Sequence, residues 1–392
     1  MRHRRIILLC LVLALGLGSA CVSNTQTSNG GAKKKKGPND QVFIGFSMDT
    51  LKEERWQRDK ELVEQRAKEV GAQLDVEVAQ GNDTTQVQQA DTMLTKGVDV
   101  LIIAPHNGEV WTQIIDKAHK QGVPVISYDR LIKNVEVELY VSHQVVKMGE
   151  MQGQYALAHA PKGNYVLIGG AQTDNNALLL RQGQMKVLQP AIDRGDIKIV
   201  ADQFARDWLP SEAHRITEDA LTKSANDVQA IVASNDGTAG GAASALPPNL
   251  EGKVLITGQD AQLDACQRIV EGRQTMTVYK SIKPLAYSAV DSAIKLARGE
   301  QINSAALDKP INNGKMDVPS MLQEPVSVDK ANMMQTVIKD GYHTMEEVYK
   351  NVPKDQWPKA TANNSGAKER GLLFASIGIL FTAFVLVRFK GK

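Results

Sequence analysis

Ten short β-branched runs recur along the middle of this chain, each followed by a longer stretch whose apolar residues fall at helical spacing, and few folds satisfy such an alternation. The runs predict strands over residues 42–47, 73–78, 98–103, 123–127 and 137–142, and then over 165–168, 197–201, 230–233, 254–257 and 275–278. Between them, triplets such as Leu62, Ala67 and Val70, or Ile114, Ile115 and Ala118, mark one face of a helix. Strands alternating with helices give a parallel sheet covered on both faces, so the fold class is α/β. Ten strands exceed one comfortable doubly wound sheet, and two doubly wound parallel-sheet lobes joined by a multi-strand hinge are expected.

In such a fold, ligands bind outside the carboxyl ends of the strands. Polar and aromatic side chains should therefore follow each strand, and here they do. Asp49 and then Arg55 and Trp56 follow the first run; Asp129 and Arg130 follow the fourth; Asp174 and Asn176 follow Gly169-Gly170. Asp207 and Trp208, Asn235 and Asp236, and Asp260 follow later runs, and Lys280 closes the series. Asn235-Asp236 also suits a helix cap, and Trp208 or Trp56 also suits a core. Gly240-Gly241 reads as close helix packing rather than a phosphate loop.

Both ends of the chain differ from its body. Arg2, Arg4 and Arg5 precede an apolar run over residues 6–17 and the small residues Gly18, Ser19 and Ala20, the order of an export signal. A cysteine next, Cys21, resembles the bacterial lipobox and implies lipidation there. An ordinary cysteine is the alternative, because Gly18 stands where the pattern has Leu. Residues 21–39 are polar and read as a flexible tether. Residues 371–387 carry no charge and, extended to 388, predict a transmembrane helix after a linker over 346–370. The predicted arrangement is a body outside the cytoplasm, anchored to the cell envelope, with a short basic tail inside.

The net charge of +2 conceals a segregation. Setting aside ten cations in residues 1–20, 33–36 and 371–392 leaves 36 Lys+Arg against 44 Asp+Glu over residues 37–370, a net of −8. An acidic body argues against a nucleic-acid partner. Of three cysteines only Cys266 lies in the body, so no disulfide framework or cysteine-based metal site is available. No nucleophile elbow, phosphate loop or zinc-protease motif occurs, the histidines show no ligand spacing, and neither an enzyme nor a cofactor or metal is expected.

Several long runs together carry a resemblance. They include Glu54-Arg55-Trp56-Gln57, Tyr128-Asp129-Arg130, Asp174-Asn175-Asn176, Ser234-Asn235-Asp236, Gly258-Gln259-Asp260 and the stretch from Gln274 to Lys280. Over nearly all of residues 42–345 the chain resembles the D-xylose-binding proteins of bacterial sugar ABC importers, within the ribose-type periplasmic binding protein family. The resemblance implies the type I fold of that family and a monosaccharide, D-xylose first, held between the lobes. It implies sugar contacts from Arg55, Asp129, Arg130, Asn176, Asp207 or Trp208, Asn235, Asp260 and Lys280, with Trp56 and Trp208 as aromatic platforms and Asp174 and Asp236 beside them. It departs from the family at His143-Gln144-Val145, near the expected hinge.

Carboxylates would accept from the sugar's hydroxyls, Arg and Lys would donate, and Asn would do both. With the cleft empty, Asp129 is expected to pair with Arg130, or Asp236 with Lys280. Partners are then an ABC permease and ATPase or, for a tethered sensor ectodomain, a membrane kinase chain. The expected lobes are residues 40–142 with 281–310, and 143–280 with 311–345, crossing near Ser142-His143, Tyr279-Lys280-Ser281 and Ile311-Asn312-Asn313.

Overall fold

All ten expected strands form, within a few residues of their predicted bounds, in a computed structural model that describes residues 34–358. The first half runs β1 (Phe43–Met48), α1 (Glu54–Glu69), β2 (Gln73–Val78), α2 (Asp83–Lys96), β3 (Val100–Ala104), α3 (Thr112–Lys120), β4 (Val125–Tyr128) and β5 (Leu139–His143). Next come α4 (Val145–His159), β6 (Gly163–Gly169), α5 (Asn175–Asp193), β7 (Ile197–Phe204), α6 (Pro210–Lys223), β8 (Ala230–Ala233) and α7 (Asp236–Ser244). β9 (Leu255–Ile256), α8 (Leu263–Glu271), β10 (Met276–Tyr279) and α9 (Ile282–Arg298) follow, and β11 (Asp308–Asn312), β12 (Asp317–Gln323), β13 (Val326–Asp329) and α10 (Met345–Val348) close the series.

Two sheets organise these elements. One is seven-stranded in the order β11-β12-β5-β4-β3-β1-β2, and the other is β7-β6-β8-β9 with the antiparallel pair β10-β13 beside it. Apart from β11–β12 and β10–β13, every paired strand is parallel. Central β3 is buried along its whole length while β2 lies at an edge, as the unbroken apolar run Val100-Leu101-Ile102-Ile103 requires of a strand covered on both faces. Helix α9 returns to the first sheet, where Leu285, Ala289 and Val290 pack with Ile44, Phe46 and Val100.

Three strands escaped the sequence reading. β11 and β12 each carry a proline, β13 is only four residues long, and none offers a clean apolar alternation because each lies at or near an edge. Their placement revises the expected boundaries. Residues 311–323, assigned to the second lobe, belong to the first sheet, since β12 pairs with β5. The third crossing between sheets is therefore Glu324-Pro325, between β12 and β13, and not Ile311-Asn312-Asn313.

Two further boundaries move. Residues 346–353, read as linker, include α10, which packs on α8 with Val348 and Tyr349 buried. At the other end Lys36, read as tether, donates its backbone N–H to the Ala297 carbonyl. Residues 34–353 form one compact unit; beyond it, Lys354–Gln356 form a single helical turn. The expected export signal over 1–20, the lipidation site Cys21 and the span over 371–388 lie outside the described residues, among which no helix is long and apolar enough to cross a membrane.

Candidate functional site

The strands of both sheets end at one small cavity. Ten of the twelve expected residues line it: Arg55, Trp56, Asp129 and Arg130 from the first sheet's side, and Asp174, Asn176, Trp208, Asn235, Asp260 and Lys280 from the second's.

Two expected residues do not line it. Asp236 is fully buried behind the wall, where its carboxylate accepts from Gln274 Nε2 at 2.9 Å, Thr277 Oγ1 at 2.9 Å and the Gln262 N–H at 3.0 Å. It ties α7 to β10 and the start of α8. Burial pushes its carboxyl up to about 8, with Arg268 opposing. Asp207 faces a neighbouring cavity that shares Arg130 and Trp208 with the first, and its carbonyl accepts from Lys52 Nζ. Conversely, Glu53, which the sequence reading passed over, and Gln259, which it placed after a strand end without naming it a contact, also line the main cavity. Gln259 stood within a quoted motif and Glu53 adjoined another, so position after a strand end was the available signal.

The charges pair differently from expectation. Asp129 does not pair with Arg130; its Oδ2 lies 2.6 Å from Arg55 Nη1 and 3.7 Å from Lys280 Nζ. Arg130 bridges Asp49 at 2.6 Å and Asp174 at 2.9 Å, and Lys280 pairs with Asp260 at 3.0 Å instead of Asp236. Adjacency in sequence is therefore a poor guide to pairing. Burial pushes the Asp129 carboxyl up, but Arg55 and Lys280 outweigh it and hold the group well below the usual carboxylate range. For Asp174 burial wins over Arg130 and the carboxyl is raised.

Helix starts and strained turns aim these groups. Asp174 caps α5 through the Asn176 N–H at 2.9 Å, and Asn235 caps α7 through Thr238 N at 2.9 Å, so each is both cap and cavity wall. Asp129, Asp207, Trp208 and Asp260 all have positive φ (57°, 51°, 58° and 98°), which costs non-glycine residues energy and gathers at functional sites. Surrounding bonds hold Asp129 there, because its carbonyl accepts from Tyr140 Oη at 2.8 Å, Ser142 Oγ at 2.7 Å and Asn176 Nδ2 at 3.1 Å.

The two indoles differ. The guanidinium carbons of Arg55 and Arg130 lie 4.3 and 5.1 Å from the Trp56 ring centroid, so Trp56 engages the arginines. Trp208 donates Nε1–H to Asp174 Oδ2 at 3.2 Å and packs so tightly on Gly170 that a Cβ there would sit 2.2 Å from the ring. A lining of paired charges plus one indole edge suits a neutral, hydroxyl-rich ring.

A family model described as a periplasmic binding protein domain matches residues 44–301. The chain belongs to the periplasmic binding protein family. It is 50% identical over 307 residues to the D-xylose-binding periplasmic protein of Haemophilus influenzae, covering 78% of this chain and 92% of that one. Identity to the D-xylose-binding periplasmic protein of Escherichia coli is 46% over 309 residues, covering 79% and 93%. Among solved structures, a carbohydrate transporter solute binding protein from Chloroflexus aurantiacus in complex with D-glucose is 31% identical with a TM-score of 0.73, covering 79% of this chain and 98% of that one.

Proposed function

We propose that this periplasmic binding protein captures a monosaccharide, D-xylose foremost, in the cavity between its two sheets and presents it, after closure, to an ABC permease and its ATPase. One observation carries the reading. The cavity wall holds buried acceptors with no hydrogen-bond partner among the described residues: Glu53 Oε2, Asn176 Oδ1 and Gln259 Oε1, beside Glu53 Oε1, whose neighbour at 3.1 Å is the exposed Lys52 ammonium. Each buried polar atom left unpaired costs ~1–3 kcal/mol, so a wall that keeps several of them is built for a ligand rich in donors. Sugar hydroxyls are such donors, and their own oxygens take the N–H groups of Arg55, Arg130 and Lys280. The D-xylose-binding proteins named above match over nearly their whole length, which supports the same ligand class here. Those relatives are binding proteins by name, the class the sequence implies, and not enzymes.

Closure is read from the crossings. His143-Gln144, Lys280-Ser281 and Glu324-Pro325 lie against one another: His143 Nε2 is 3.2 Å from the Ser281 carbonyl, and Gln144 bonds Gln323 and Glu324 through its N–H and side chain. Three adjacent strand ends make a hinge about which two halves close on a ligand. Export and membrane tethering through residues 1–39 and 371–388 belong to the same proposal, and keep the capture domain beside its permease.

Titrating the full chain with D-xylose, L-arabinose, D-ribose, D-glucose and D-galactose by calorimetry tests it. Saturable binding of xylose ahead of the others is the expected result; no heat with any of them removes the reading.

A further inference from the structure

We infer that Glu53 is a ligand contact and specificity determinant of this pocket, its carboxylate accepting a hydrogen bond from one sugar hydroxyl; the inference rests on the sugar-binding reading above. Glu53 lines the cavity and is only 8% exposed, yet among the described residues neither of its side-chain oxygens has a hydrogen-bond partner. It precedes α1 but makes no capping bond with its side chain, so the usual structural use of an acid at that position is unfilled. Lys52 Nζ stands 3.1 Å from Oε1, but that ammonium is 40% exposed and also bonds the Asp207 carbonyl, and nothing pairs with Oε2.

The other lining carboxylates are committed. Asp129 holds Arg55, Asp174 holds Arg130 and the Trp208 indole, and Asp260 holds Lys280. Glu53 is thus the lining acid with acceptor capacity left over, and a desolvated carboxylate oxygen without a donor, here Oε2, is a cost that a bound hydroxyl relieves. A sugar lacking that hydroxyl, or carrying it in the other configuration, leaves the carboxylate unpaired, and discrimination of this kind is steep.

The test is calorimetric titration of the full chain, wild type, Glu53→Gln and Glu53→Leu, with the tightest-binding of the five aldoses and each of its monodeoxy analogues. Melting of the unliganded proteins is followed alongside. We expect Glu53→Leu to weaken binding ~10–100-fold, the usual range for a bond to a charged group, and Glu53→Gln to weaken it less. Against one deoxy analogue the Glu53→Leu loss should vanish, identifying the hydroxyl, while the unliganded melting temperature does not fall. Glu53→Leu affinity within threefold of wild type overturns the inference, as does an equal loss on every analogue or a lowered unliganded melting temperature. Wild type binding none of the sugars fails the sugar reading and this inference with it, whereas wild type binding with Glu53→Leu unchanged fails this inference alone.

Discussion

Single side chains carry two loads in this pocket, and the loads can be separated by measurement. Trp208 is 7% exposed, with its Nε1–H on Asp174 and its ring against Gly170. Trp208→Ala should weaken sugar binding by ~2 kcal/mol or more if the indole covers the ring, read by calorimetry, and an unchanged affinity would reassign it to packing. His106 lies behind the site, 2.9 Å from the Asp49 carboxylate that also grips Arg130. That bond raises the His106 pKa from its ordinary 6.5, against the effect of burial. The folded state then binds more protons than the unfolded one above that pH, so the stabilisation is full below about 6.5 and fades as pH rises through the raised value. His106→Asn should accordingly flatten the decline of melting temperature between about pH 6 and pH 9; an unaltered slope would remove His106 from the account.

At the scale of elements, the site depends on how closely helices approach one another. Helix α7 delivers Asn235 and is pressed against the start of α6, where a Cβ on Gly241 would sit 2.1 Å from the Pro210 carbonyl oxygen. Gly241→Ala should therefore destabilise the fold by ~1–3 kcal/mol in a denaturant melt, through a forced shift of α7, and full stability would show that the helices have room to part. Gly241 thus serves close helix packing, while a Cβ on its neighbour Gly240 would sit 3.1 Å from Arg268 Nη1. Asp236 acts at this scale too. Its three bonds fasten α7, α8 and β10 in one place, which explains why an acid read as a ligand contact stands behind the wall.

For the molecule as a whole, a contact that bridges the two sides of the cavity bears on the proposed closure. Glu54 at the start of α1 accepts from the Leu263 N–H at 2.8 Å, an acid set at the N-terminus of α8 on the far side of the cavity. If lobe closure makes this contact, Glu54→Ala should weaken sugar affinity ~3–10-fold without altering the lining, because ligand and closure would then draw on one equilibrium. Unchanged affinity would place the contact outside the closing motion. How far reading along the chain could reach is clear at this scale. Ten strands and ten lining residues were legible, because alternation along a chain reports burial and a parallel sheet must send its loops to one end. The strands β11 to β13 were not, since strands at or next to a sheet edge carry little apolar pattern to read. Nor were the ion pairs, the role of Asp236, the third crossing at Glu324-Pro325, or Glu53 as part of the wall. Each of these depends on which groups from distant segments come within about 3 Å of one another, a distance set by packing in three dimensions and encoded in no local spacing of residues.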